Sequence, residues 1–585
     1  MTDPEAKPGR LARLIAACAS PRVLVLAVAL ATLLASPSLR VGFFSDDYFI
    51  FQRIAQGEVT DLYAFASGLP ERTLPFVRAG PFGWWTDPTV RFSFFRPLAS
   101  AMLTLDWRLW GHRALPYHLE ALTWNALLVL CAGLALRRAL PPATAGLAAL
   151  LYAVDASRAL PVGWISNRYA LSCGAFGWLA LWAALRGREG ARWGAGLSAL
   201  ALACALGCGE SGLSFGIFLL VLAWATPGRR LRVALPTLAV LGLWAAIYLA
   251  GNHGARNSGV YFDPTADPLA YLGEAPGRLL ALAASLLTGM SADLWVFSPN
   301  MRQAQLSVGL VAVALALALY ARISPAIEGQ ERSALGWMLP AALLSMLPTL
   351  ATFPTDRLLY VPRLGVSAAA AVLLRHVLGG VERRPWWVRG AAFAALLVQG
   401  ALPLAAWPAG TLFSDRMFAQ IDRLNDSPGL EDIAGRTLIL PAVPTPFASM
   451  YISSTRWFRG EPTPRVLWPL SMAHHAHRLS RPDEHTLVVE VLDGEMMGSI
   501  FEDLVRPRSL AFHVGDTVAL DGGQVEVLAL GPGGGPTRVA LHLEGSLDDP
   551  DVRILALRDG QLVRIDAPPV GGQLDLPLEL GPGGI

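Results

Sequence analysis

Lysine is all but missing from this chain: Lys7 stands alone among 47 basic residues, and arginine does the rest of the basic work. Charge of either sign is scarce, at 16% of 585 residues, against 53% hydrophobic residues and a mean hydropathy of +0.43. That composition is too apolar for an ordinary soluble globular protein and points to an integral membrane protein. The net charge is only +2, and the arginines sit in short clusters between apolar stretches, so there is no basic face to bind nucleic acid. Cysteine is sparse as well. Cys18, Cys131, Cys173, Cys204 and Cys208 all lie in apolar surroundings and none follows, so no disulfide framework is implied. Cys204 and Cys208 share a helical i,i+4 spacing without His or acidic company, and read as small packing residues rather than metal ligands. A repeat of fixed period is lacking too.

What the chain has is a succession of apolar segments. Lys7, Arg10, Arg13 and Arg22 precede the first, Val23 to Leu39, so the positive-inside rule places residues 1–22 in the cytoplasm. Small residues at Ala35 and Ser36 resemble a signal-peptidase site, and cleavage there would still leave Asp46 outside. Further spans are expected at 117–136, 142–157, 168–186, 193–208, 211–226, 232–250, 303–321, 334–351, 363–380 and 388–407, most near the ~20 residues a helix needs to cross. Arg137, Arg138, Arg186, Arg188, Arg229, Arg230, Arg232, Arg322, Arg332, Arg383 and Arg384 then fall on the cytoplasmic side, and parity closes with about eleven spans. The apolar segment Pro276 to Phe297 is left out or treated as re-entrant to keep that parity.

Residues 42–116 form a first extracytoplasmic loop whose Trp84, Trp85, Trp107 and Trp110 suit the headgroup level. Pro97 opens a helix with Leu98, Met102, Leu105 and Leu109 on one stripe, which predicts a helix lying in the interface with Asp106 and Arg108 on its wet face. From 408 to 585 the composition turns to Pro, Gly, Asp and β-branched residues. Alternation in Val539–Leu543 and short runs at Thr486–Val489 and Val525–Leu528, bounded by Gly-rich turns, predict a periplasmic β-rich domain, a small sandwich or barrel. The fold class is therefore mainly α: a polytopic helical bundle over 23–407, followed by a β-rich domain.

The candidate chemistry collects on the outer side: Asp46 and Asp47, Arg96, Asp155 and Arg158, Arg168, Glu210, His253, and Asp356 with Arg357. Polar groups on one face of a membrane bundle are expensive against lipid and tend to line a pocket. A carboxylate can take a proton from a hydroxyl, and arginines can neutralise a departing phosphate, so the set describes group transfer from a phosphorylated lipid. Bland alternatives stand beside this. Asp46 and Asp47 also suit a helix N-cap, Arg357 an interfacial anchor, and Glu210 a cap or an internal ion pair. His474, His475 and His477, without acidic or Cys company, read as a solvated loop, and no metal site is assigned.

Several of these residues fall in short motifs. In order they are Phe44-Ser45-Asp46-Asp47, Phe95-Arg96-Pro97-Leu98, Tyr117-His118-Leu119, Trp164-Ile165-Ser166-Asn167-Arg168, Gly209-Glu210-Ser211 and Asp356-Arg357-Leu358-Leu359-Tyr360-Val361-Pro362. The series, within residues 20–380, resembles the GT-C membrane glycosyltransferases, and within them the protein O-mannosyltransferase branch that includes the transmembrane TPR-containing O-mannosyltransferases. The resemblance implies an inverting transferase of a bacterial inner membrane. It would move a sugar from a polyprenyl-phosphate donor to a hydroxyl of a protein or glycan acceptor, with no cofactor. It further implies Asp46 as general base, Asp47 as its assistant, Arg168 and Arg357 facing the lipid phosphate, Glu210 orienting one of them, and Arg96 and Tyr360 in substrate binding. The family's His-Pro before Trp164 is replaced here by Asp155-Ala156-Ser157-Arg158-Ala159-Leu160, and TPR repeats are absent. Two other classes compete: a transporter or flippase for a lipid-linked substrate, which would favour paired broken helices, and a catalytically inactive envelope scaffold.

Overall fold

A computed structural model describes residues 10–226, 228, 230–378 and 385–579; Lys7, Arg229, Arg383 and Arg384 lie outside them. The chain is mainly helical with a β-rich C-terminal region, as its sequence predicts. It divides into two compact units, and the division differs from a simple cut near 408. One unit comprises residues 1–41, 94–252 and 268–414; the other comprises 42–93, 253–267 and 415–585.

The first unit is the helical bundle. Seven of the described helical segments are long and apolar enough to cross a membrane: Arg22–Arg40, Ala114–Ala139, Pro142–Gly163, Arg230–Ala250, Pro299–Ala326, Gly329–Ala351 and Trp386–Phe413. Gly194–Cys208 and Gly212–Trp224 are shorter apolar helices. Tyr169–Arg188 and Arg363–Leu378 are helical as expected, so each anticipated span has a helix. The segment left out for parity holds the helix Pro268–Thr288 and a 3-10 turn, Ala292–Val296. Packing relies on small residues, which let backbones approach closely where lipid offers no hydrophobic drive between helices. A Cβ on Gly177 would lie 2.3 Å from the Phe215 ring, and one on Gly146 would lie 1.9 Å from Cys18 O. One polar lock ties three helices: Glu331 accepts from Thr144 and Arg375, and His376 Nε2 lies 2.9 Å from Glu331 Oε2. Arg375 sits in the last turn of its helix, where a cation complements the carbonyl end of the dipole.

Pro97–Trp110 is helical, with Leu105 and Leu109 exposed. Asp106 departs from the wet face assigned to it: it is buried and paired with Arg168.

The second unit is built from distant pieces of chain. Ala64–Ser67, Arg91–Ser93 and Gly254–Arg256 form an antiparallel three-stranded sheet, with Phe92 opposite Ala255. An open six-stranded antiparallel sheet runs in the order Gln573–Leu576, His477–Ser480, Thr486–Val491, Pro536–Leu543, Gly523–Leu530, Thr517–Leu520. The three strands expected from sequence are all here. A four-stranded sheet is mixed: Thr437–Leu440 pairs in parallel with both Val552–Arg558 and Val466–Pro469. A crossover carrying the helix Ile452–Arg459 joins two of these parallel strands, so this region holds a βαβ element besides its antiparallel strands. Trp84 and Trp85 are not at an interface. Each is 2% exposed, with Trp84 Nε1 donating to Leu470 O at 2.9 Å, because the loop packs its aromatic side into the C-terminal core.

Candidate active site

In the helical unit the motif Trp164–Arg168 supplies a hub. A 3-10 turn, Ile165–Asn167, links the short helix Ala159–Gly163 to the long helix Tyr169–Arg188, and Arg168 stands at the N-cap of the latter. Three guanidinium groups gather along Trp164–Tyr169. Arg357 lies over the Trp164 ring at 5.5 Å. Arg96 lies over the Tyr169 ring at 3.9 Å and over Phe94 at 4.5 Å, while its Nε donates to Glu210 Oε2 at 2.8 Å. Arg168 itself is 4% exposed and lies between two carboxylates, bonded to Asp106 and 2.7 Å from Glu120 Oε2. Stacking on rings and forked donation are what set Arg apart from Lys.

These surroundings separate the three. Arg168 already has two acidic partners, Asp106 and Glu120. Arg96 and Arg357 are half-buried and have aromatic faces on one side. The loop bearing Arg357 is pinned through its neighbour: Asp356 accepts from Ser285 Oγ and Ser291 Oγ, each at 2.7 Å, and from Ala292 N at 2.8 Å. Asp293 accepts from Thr355 beside it. Asn167, in the middle of the hub, is 2% exposed, yet neither its Nδ2 nor its Oδ1 has a hydrogen-bond partner among the described residues. A buried amide left unsatisfied on both sides is uncommon and marks a place where a ligand or water belongs.

In the second unit the acidic pair opens the helix Asp46–Ala55, where carboxylates are favoured by the dipole. The preceding Ser45 has φ +49°, a strained conformation for a residue other than glycine. The two carboxylates are held differently. Asp47 is 1% exposed and its Oδ2 accepts from Phe44 N at 2.8 Å, closing the turn. Asp46 is half-buried, and its Oδ1 accepts from Tyr451 Oη at 2.8 Å. Burial, with the Asp46 charge beside it, holds the Tyr451 phenol well above its ordinary range. Aromatic rings fix the setting: Phe458 packs on Phe43, Tyr48 and Phe51 at 4.8, 5.2 and 6.0 Å, and Phe447 on Phe44 at 6.0 Å.

The remaining candidates have other duties. Tyr360 is 2% exposed and packs beside Phe215, over Gly174, while its carbonyl accepts from Tyr152 Oη at 2.9 Å; this is a core position. Arg158 is fully buried and donates to Asn125 Oδ1, Tyr152 O and Ala153 O. His253 Nδ1 lies 3.1 Å from Ser93 Oγ within the second unit. His477 is not in a solvated loop: it starts a strand, is 1% exposed and meets Ser471 Oγ at 2.8 Å. Among the described residues no three His, Cys, Asp or Glu side chains gather as a metal site would require. Tyr169, Asp106, Glu120, Asn167 and Tyr451 were not anticipated. The local signals were the place of Asn167 within the Trp164–Arg168 motif and the i,i+3 spacing of Tyr117 and Glu120 on one helix.

No family model and no curated protein matches the chain. Among solved structures it is similar to the Archaeoglobus fulgidus oligosaccharyltransferase tethered to an acceptor peptide, at 12% identity and TM-score 0.38, covering 77% of this chain and 64% of that one. It is likewise similar to ArnT from Cupriavidus metallidurans bound to undecaprenyl phosphate, at 14% identity and TM-score 0.38, covering 76% of this chain and 89% of that one. The chain thus spans under two thirds of the oligosaccharyltransferase's length.

Proposed function

We propose that this multi-pass membrane protein is a GT-C-type glycosyltransferase, inverting, acting on the extracytoplasmic face of a bacterial inner membrane with a polyprenyl-phosphate sugar as donor and a protein or glycan hydroxyl as acceptor. The observation that carries the reading is the gathering of Arg96, Arg168 and Arg357 on Trp164–Tyr169 within a helical membrane unit. Arg96 and Arg357, each lying against an aromatic face, take the phosphate, because bidentate donors suit it and a low-polarity setting strengthens the contact. Arg168 braces the hub through Asp106 and Glu120, Glu210 aims Arg96, and Tyr360 supports the hub from the core. The Asn167 amide, unpartnered among the described residues, offers the two N–H donors of its NH2 and its carbonyl acceptor to the donor substrate.

Asp46 acts as the base. The acceptor O–H proton passes to its carboxylate as the acceptor oxygen bonds to the anomeric carbon, and the C–O bond to phosphate breaks with its electron pair leaving on polyprenyl phosphate. A single displacement of this kind inverts the anomeric centre. Asp47 holds the turn that presents Asp46. The reaction asks for no cofactor.

The test is Asp46→Asn in membranes supplied with undecaprenyl-phosphate hexoses, with released undecaprenyl phosphate measured. Transfer falls at least a hundredfold if Asp46 is the base; an unchanged rate refutes the assignment.

A further inference from the structure

Asp47 is tied down by its own turn, but Asp46 is met by a residue 405 positions away. Tyr451 ends a five-residue π-helical turn, Phe447–Tyr451, that runs into the helix Ile452–Arg459. Such turns are rare and concentrate where function demands an irregular backbone. The segment lays Phe447 and Phe458 against Phe43, Phe44, Tyr48 and Phe51, and Tyr451 directs its hydroxyl to the Asp46 carboxylate.

We infer that Tyr451 is a positioning residue for the transfer reaction: its hydroxyl donates to Asp46, fixes the orientation of that carboxylate and favours its ionised, proton-accepting form. The inference rests on the reading of Asp46 as the base. Its physical content is separate, because a hydrogen bond donated to a carboxylate stabilises the charged form whatever the carboxylate then does. Other groups facing the pair are Asp47 in the same helical turn and the Ser45 hydroxyl, which also reaches Tyr451, while Tyr48 lies near Asp47. Tyr48 in turn feels Asp422 and Arg459; Arg459 is engaged by Asp422 and by Asp426, 2.8 Å away.

Two measurements on the full-length protein in nanodiscs test this and keep it distinct from the parent reading. The first needs no substrate: the Asp46 carboxylate is titrated by infrared difference spectroscopy, with D46N as the blank. In Y451F, which keeps the ring packed, its midpoint rises by about one pH unit. With 3-fluorotyrosine at 451, a stronger donor, it falls below wild type. A midpoint unmoved by both changes overturns the inference. The second is turnover of undecaprenyl-phosphate hexoses: Y451F moves the acid limb of kcat/KM upward by the same interval and lowers kcat about tenfold at neutral pH, with donor KM unchanged. A loss confined to KM, or to thermal stability with an unshifted limb, also overturns it. If D46N turns over like wild type, the base assignment falls and Tyr451 loses its catalytic meaning even where the titration shift is found.

Discussion

Asp155 and Arg363 form an ion pair in the helical unit, with Arg363 Nε 3.1 Å from Asp155 Oδ1 and both side chains nearly excluded from solvent. Arg363 also donates to Gln399 Oε1 at 2.8 Å and to Leu286 O at 3.1 Å, and Asp155 accepts from Ser157. The stretch that departs from the family pattern before Trp164 is thus fastened to the helix that begins at Arg363. Removing one partner leaves a buried charge. Asp155→Ala lowers stability by about 3–5 kcal/mol, read as a fall in the detergent melting temperature, while an Asp155→Leu, Arg363→Met double variant recovers most of the loss.

Arg96 should resist replacement by lysine. Its guanidinium lies over the Tyr169 ring while its Nε donates to Glu210, and a compact ammonium lacks the planar fork that holds both contacts at once. Arg96→Lys raises the donor KM at least tenfold, and Glu210→Gln raises it by a smaller factor because the arginine remains but loses its aim. Donor saturation curves with undecaprenyl-phosphate hexoses check both.

Arg168 and Arg357 should separate in their kinetics. Arg357→Ala removes a half-buried cation stacked on Trp164 and lowers kcat with little loss of stability. Arg168→Ala takes the cation away from buried Asp106 and from half-buried Glu120, which keeps its bond from Trp124, and costs about 3–5 kcal/mol of stability. Paired melting and turnover measurements decide; a stable, inactive Arg168→Ala protein would put Arg168 on the phosphate instead.

His477 makes the second unit acid-sensitive. Burial lowers its pKa from 6.5 to about 4 in the folded protein. The unfolded chain therefore takes up a proton as pH falls below 6.5 while the folded one does not, so stability drops across that interval and levels off below about 4. The loss approaches ~3 kcal/mol at ~1.4 kcal/mol per pH unit. Denaturant midpoints followed by Trp fluorescence should fall from pH 7 to 4 in the wild type and lose that component in His477→Gln.

Much of the helical unit was legible because hydropathy alone marks a helix that must satisfy its backbone within lipid. The strand Pro536–Leu543 was legible from alternation, and Thr486–Val491 and Gly523–Leu530 from short apolar, β-branched runs between Gly-rich turns. What escaped depends on partners far along the chain. Nothing local tells Phe92 that it pairs with Ala255, or Trp84 that Leu470 awaits its indole, so residues 42–93 looked like an interfacial loop. The same holds within the site. Asp106 read as solvated because its helix is amphipathic, and only the arrival of Arg168 shows why a carboxylate is buried there. Arg96, Arg168 and Arg357 were legible by type; the shared platform of Trp164 and Tyr169 was not.

The second unit is discontinuous in sequence, and this bears on biosynthesis. Residues 42–93 leave the ribosome early, residues 253–267 much later, and residues 415–585 only after the whole bundle has been made. Until then Phe43, Phe44 and Phe51 lack the rings that cover them and Asp46 lacks its phenol. A nascent or truncated chain would hold its membrane helices yet carry an unfinished acidic turn, so the centre proposed here could not become active before the last stretch of polypeptide had folded.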